Sequence, residues 1–73
     1  MPSKYPVLKP EEVVRRLEAF GFIYVSQKGS HRKMSNGTFK CIIPMHDEVA
    51  KGTLKSILTQ ANVSLDEFMS VEI

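Results

Sequence analysis

Tryptophan is absent from this 73-residue sequence, and cysteine occurs once, at position 41. A single cysteine excludes an internal disulfide and any cysteine-based zinc cluster. No apolar run approaches the roughly 18 residues of a membrane span, and Met1–Pro10 lacks the apolar core of a signal peptide. The expectation is a cytoplasmic protein with no membrane partner, which a lone thiol fits. Neither a Gly-x-x-x-x-Gly-Lys loop nor a Gly-x-Gly-x-x-Gly turn is present, so no nucleotide cofactor is expected. Two histidines and scattered acids are too few and too spread out to suggest a metal site, so none is expected. Linkers, repeats and low-complexity segments are also missing. Residues 1–73 therefore read as a single domain, one that buries only about 60% of its unfolded surface in a thin core.

Charge of one sign is scarce overall, at +2, but it is unevenly spread. Residues 1–40 hold eight Lys and Arg against three Glu, whereas residues 41–73 hold two Lys against five acids. Between 26 and 40 lie Lys28, Arg32, Lys33 and Lys40, with no acid among them. A local patch of one sign attracts polyanions better than net charge suggests. The same residues equally describe a solvated strand face whose lysines guard an edge.

The chain order follows from local signals. Pro10 suits a first helical position, Glu11 and Glu12 favour the positive end of the helix dipole, and Val13, Leu17 and Phe20 form an apolar stripe. Gly21 stops that helix. Phe22–Gln27, aromatic and β-branched, reads as a strand, and Lys28-Gly29 turns the chain. Ser30–Met34 is a second strand and Thr38–Ile43 a third, joined by Ser35-Asn36-Gly37-Thr38. The Asn-Gly pair suits the two positive-φ positions of a type I′ turn. Gly52-Thr53 opens a second helix that runs to Ala61 and stops at Asn62, with Leu54, Ile57, Leu58 and Ala61 on one face. Ser64–Glu67 has capping-box spacing and starts a last short turn through Phe68. The result is an α+β fold of α-β-β-β-α order, with a three-stranded antiparallel sheet and a short C-terminal helical turn. This is the arrangement of a double-stranded-RNA-binding-type domain. Two helices cover one face of such a sheet and leave the other open.

The groups that titrate near neutral pH are His31 and His46. An unperturbed imidazole, with a pKa of about 6.5, both takes and gives protons at that pH. Strand alternation sets His31 and Lys33 on one face and Ser30, Arg32 and Met34 on the other. Met34 suits the core, which turns His31 and Lys33 outward. Gly29 permits close approach of a ligand, and its neighbouring N–H groups suit a phosphate. An idle surface histidine beside a turn is the competing description. His46, in Pro44-Met45-His46-Asp47, is either hydrogen-bonded to its neighbour for structure or an assistant to His31. Cys41, within an apolar strand, reads as packing rather than nucleophile.

Taken together, several segments resemble the HicA toxin family. They are Phe20-Gly21-Phe22, Gln27-Lys28-Gly29-Ser30-His31, the Asn36-Gly37 hairpin, Pro44-x-His46, and Gly52-Thr53-Leu54-Lys55-Ser56-Ile57-Leu58. Ala61 followed by Ser64-x-x-Glu67-Phe68 completes the set. Each is weak alone; in order and at compatible spacing they cover nearly the whole chain. The resemblance implies the toxin of a type II toxin–antitoxin pair, an mRNA interferase cutting RNA without a metal. It further implies that His31 is the catalytic acid or base, with His46 as a possible second proton carrier. Lys28, Gly29, Ser30, Arg32 and Lys33 are then the RNA contacts, and a HicB-like antitoxin covers the His31 face. Asp47-Glu48 makes the loop after His46 acidic, which is unhelpful to RNA there. Two other functions fit the pattern less closely. One is a non-catalytic module of double-stranded-RNA-binding type, and the other is a purely protein-binding α/β domain.

Overall fold

Helix α1 (Pro10–Glu18) begins where Lys9 is extended and Pro10 occupies the first turn, with Glu11 and Glu12 beside it. The computed structural model describes residues 5–72. Val13, Val14 and Leu17 are buried from this helix, as an apolar stripe requires. Gly21 ends it at φ +85°, a left-handed conformation that favours glycine. The Phe22 N–H donates to the Leu17 carbonyl and the Gly21 N–H to the Glu18 carbonyl, closing the helix with the paired bonds of a Schellman motif. Asn62, at φ 58°, repeats this closure on α2 (Lys51–Ala61), its N–H donating to Thr59 and that of Val63 to Leu58.

Strands β1 (Ile23–Lys28), β2 (His31–Ser35) and β3 (Lys40–Pro44) form an antiparallel meander in that spatial order. The expected order holds, with two local corrections. The β2–β3 connection is not a two-residue type I′ turn. Gly37 has positive φ but Asn36 does not, and Ser35 pairs with Lys40 across a four-residue loop. The Asn36 carboxamide oxygen accepts from the Thr38 and Phe39 N–H groups at 2.9 and 2.8 Å, so its side chain organises the turn in place of a left-handed backbone. This longer loop also starts β3 at Lys40 rather than Thr38. Helix α2 begins at Lys51, one turn-residue before the expected Gly52-Thr53, with uncapped Ala50 preceding it. Leu8 and Val49 exchange backbone hydrogen bonds, and that bridge pins the chain just before the helix.

All three helices lie on one side of the sheet, α1 and α2 over β3. Met34, Cys41 and Ile43 alternate inward to meet Val13, Leu17, Leu54, Ile57 and Phe68. Every residue of β1, by contrast, is exposed, so this strand lies beyond the helices' cover. The two sheet edges also differ. On β3, the Ile42 N–H donates to Gln60 Oε1 from α2 at 3.2 Å; β1 forms the opposite edge.

Helix α3 (Leu65–Met69) carries the expected capping box, with Ser64 Oγ accepting from the Glu67 N–H and the Glu67 side chain accepting from Ser64. Its C-terminus is clasped from far away in sequence. Arg16 donates to the carbonyls of Phe68, Met69 and Val71, lies 5.8 Å from the Phe68 ring centroid, and pairs with Glu12 at 3.0 Å.

Candidate functional site

The open sheet face is built by register. Lys28 pairs with His31, and His31 with Pro44; one row along, Ser26 pairs with Lys33, and Lys33 with Ile42. Directly paired residues on one face stand about 5 Å apart at Cβ, and same-strand neighbours two residues apart are about 7 Å apart. His31 therefore has Lys28 across the hairpin and Lys33 along its own strand. Met34 is 1% exposed on the inner side, which turns His31 and Lys33 outward as strand alternation required. Ser26, Lys28, His31, Lys33 and Ile42 line a hollow of about 550 Å³ on this face.

Among the described residues no acid lines that hollow. Among the described residues the charged pair is Arg16–Glu12, and the other close contact to a carboxylate is His46 Nδ1 to Asp47 Oδ2 at 3.4 Å, so Lys28, Arg32, Lys33 and Lys40 keep their charge for other partners. The imidazole of His31 is exposed beside two ammonium groups. Such an arrangement offers proton transfer and anion stabilisation at one place. Among the described residues no group of three or more His, Cys, Asp and Glu is gathered as a metal would need.

The turn that carries this site rests on Gly29, at φ +60°. A Cβ there would meet no atom within 4 Å, so the requirement for glycine is conformational, and the space above it is open. Ser30 completes the turn, and its carbonyl accepts from the Met45 N–H at 2.6 Å. That bond, with the His31–Pro44 pair, brings the loop after β3 to the same end of the sheet as His31. His46 lies in this loop, exposed, with Nδ1 3.4 Å from Asp47 Oδ2. Asp47 itself adopts φ 51°.

Arg32 is not on this face. It points to the helix side, where its Nε donates to Gln27 Oε1 at 3.0 Å and its guanidinium carbon lies 5.3 Å from the Tyr24 ring centroid. Cys41 is 1% exposed, and burial pushes its thiol up to about 11, which leaves it protonated and inert at neutral pH.

Sequence reasoning missed Ser26 and Ile42 as members of the hollow, and Tyr24 altogether. Ile42 was accessible by alternation from Cys41. Tyr24 was not, because its placement depends on an irregularity. Tyr24 pairs with Met34 but Ser26 pairs with Lys33, leaving Val25 as a bulge. Strict alternation sets Tyr24 beside Ser26 on the outer face; the extra residue sends it to the inner one.

The fold and the site define a small α+β domain with one uncovered, cationic sheet face and a histidine at its centre. A family profile described as the HicA toxin of bacterial toxin–antitoxin matches residues 10–63, most of the chain and all of the site. The chain belongs to the HicA toxin family, and with it go a toxin's role and a cognate antitoxin. No curated protein matches the chain at a significant level. Among the described residues no helix is long and apolar enough to cross a membrane.

Proposed function

We propose that this HicA toxin, as one unit of 73 residues, is a metal-independent endoribonuclease that cleaves mRNA using His31. The observation that carries this reading is the exposed imidazole set between Lys28 and Lys33 in a hollow that no carboxylate lines among the described residues. RNA brings its own nucleophile, the ribose 2′-OH, so a metal-bound water is not needed for attack. In the reaction the 2′-oxygen bonds to the adjacent phosphorus while its proton passes to a base. The P–O5′ bond then breaks and the departing oxygen takes a proton from an acid, leaving a 2′,3′-cyclic phosphate and a 5′-hydroxyl. His31 serves as one of these two proton carriers, and His46, at the same end of the sheet, is the candidate for the other. Lys28 and Lys33 offset the charge that builds on the pentacoordinate phosphorus. The N–H groups around Gly29 and Ser30 are the candidate phosphate donors. A HicB-like antitoxin silences the toxin by covering the His31 face.

The test is RNA incubated with the purified toxin in EDTA, wild type beside His31→Ala. Cleavage by the wild type, loss of at least about a hundredfold in His31→Ala, and resistance of a substrate with a single 2′-deoxy at the scissile position are expected. If the deoxy substrate is cut as fast as RNA, the 2′-OH mechanism is wrong. RNA binding without scission would instead make the domain a non-catalytic RNA-binding module.

A further inference from the structure

The helix-side surface of β1 is chemically as distinctive as the His31 face, and the mechanism above does not use it. Helices α1 and α2 lie over β3, so β1 is bare on this side too, and Tyr24 is 56% exposed there. Arg32 stands over the Tyr24 ring, 5.3 Å from its centroid, and is held in place through Gln27, whose Nε2 in turn donates to the Gly29 carbonyl at 3.0 Å. A side-chain chain of hydrogen bonds thus fixes a guanidinium against an aromatic ring, with no carboxylate paired to it among the described residues. A positioned cation beside an exposed aromatic ring suits a nucleotide, with the phosphate at the guanidinium and the base on the ring.

The position of this pair relative to His31 is equally specific. Lys28 and His31 form the last pair of the β1–β2 hairpin, and Gln27 and Arg32 the next one in, on the opposite face. Only the Gly29-Ser30 turn separates the two surfaces at that end, and the space over Gly29 is open. A single strand leaving the His31 hollow past this turn meets Arg32 first, and Tyr24 lies farther along β1, opposite Met34.

We infer that Tyr24 and Arg32 form a second RNA subsite, in which a base flanking the cleaved bond stacks on Tyr24 while Arg32 holds its phosphate. The inference rests on the RNA reading of the His31 face. It also gives Arg32 a role the outer face cannot provide.

Tyrosine fluorescence reads the subsite directly, since the chain has two tyrosines and no tryptophan. With Tyr5→Phe as background, Tyr24 is the sole reporter. The ligand is a 2′-O-methylated hexanucleotide, which the proposed chemistry cannot cut, compared with an abasic chain of equal length. The hexanucleotide is expected to quench Tyr24 and the abasic chain to leave it bright. Tyr24→Leu should bind about tenfold more weakly, with Tyr24→Phe close to wild type in an anisotropy assay. Arg32→Gln should lower the slope of log affinity against log salt by about one. Because Tyr24 is exposed and outside the core, Tyr24→Leu and Tyr24→Phe should melt as their parent does.

Hexanucleotide binding with unquenched Tyr24 and an unaffected Tyr24→Leu overturns the subsite alone. No RNA binding by the wild type overturns the proposed function with it. A Tyr24 signal that answers the antitoxin but not RNA makes this surface a protein contact and likewise overturns the inference.

Discussion

At the scale of single residues, the His31 face is marked by what its neighbours are not. Lysines at 28 and 33 flank the imidazole, and the acidic segment Asp47-Glu48 lies in the loop beyond β3. Replacing Lys33 with Ala should lower kcat/KM on RNA about tenfold or more, because a cation aimed at a phosphorane acts mainly in the transition state. Lys33→Arg should retain most of the rate; steady-state kinetics on a short RNA distinguishes them. Cys41 gives a different expectation. Its thiol ionises at about 11 in the folded chain and near 9.0 when unfolded, so the unfolded state loses its proton first. Stability associated with this group is complete below pH 9 and falls between pH 9 and 11. Thiol-specific reagents should label native Cys41 at neutral pH only as fast as the chain opens, and a rapid stoichiometric reaction would contradict its burial.

At the scale of elements, capping signals and long-range clasps divide the labour. Gly21 and Asn62 close α1 and α2 by backbone geometry alone, and Ser64 with Glu67 opens α3. A helix of five residues is too short to persist by itself, however, so α3 depends on Phe68 in the core and on Arg16. Arg16→Ala should cost about 1.5–3 kcal/mol, the range for charged hydrogen bonds that are lost from a partly buried place. Arg16→Lys should not restore it, since one ammonium cannot reproduce the fork that meets Glu12 and the carbonyls together. Urea denaturation measures the loss, and hydrogen exchange should show it concentrated at residues 68–71. The hairpin loop has a comparable local keystone. Asn36→Ala removes the acceptor of two N–H bonds and should destabilise by about 1 kcal/mol.

For the whole molecule, a net charge of +2 conceals a polar division. After residue 40 the acids gather in the loop before α2, in α3 and at Glu72, while Lys28, Lys33 and Lys40 alternate onto one uncovered sheet face. Affinity for single-stranded RNA should therefore fall steeply with salt. If those three lysines and Arg32 each meet a phosphate, log affinity against log salt should have a slope of about −3. Binding that does not change with salt would detach RNA from this face.

The element order and the outward turn of His31 and Lys33 were legible because both depend on neighbours in the chain. Proline, glycine, asparagine and serine signals act within a turn or two, and alternation from a buried Met34 needs no knowledge of a partner. Three features depend on distance and were beyond such reading. The bulge at Val25 arises from how β1 fits β2, and it moves Tyr24 to the other face. The bareness of β1 follows from α1 and α2 settling over β3, a matter of helix packing rather than strand composition. Arg16 meets carbonyls more than fifty residues away. Local backbone preferences thus determined the elements and the identity of the outward histidine. Only the packing of helices on one side of a narrow sheet decided which strand stayed open, because buried apolar area is shared between elements that no short stretch can specify.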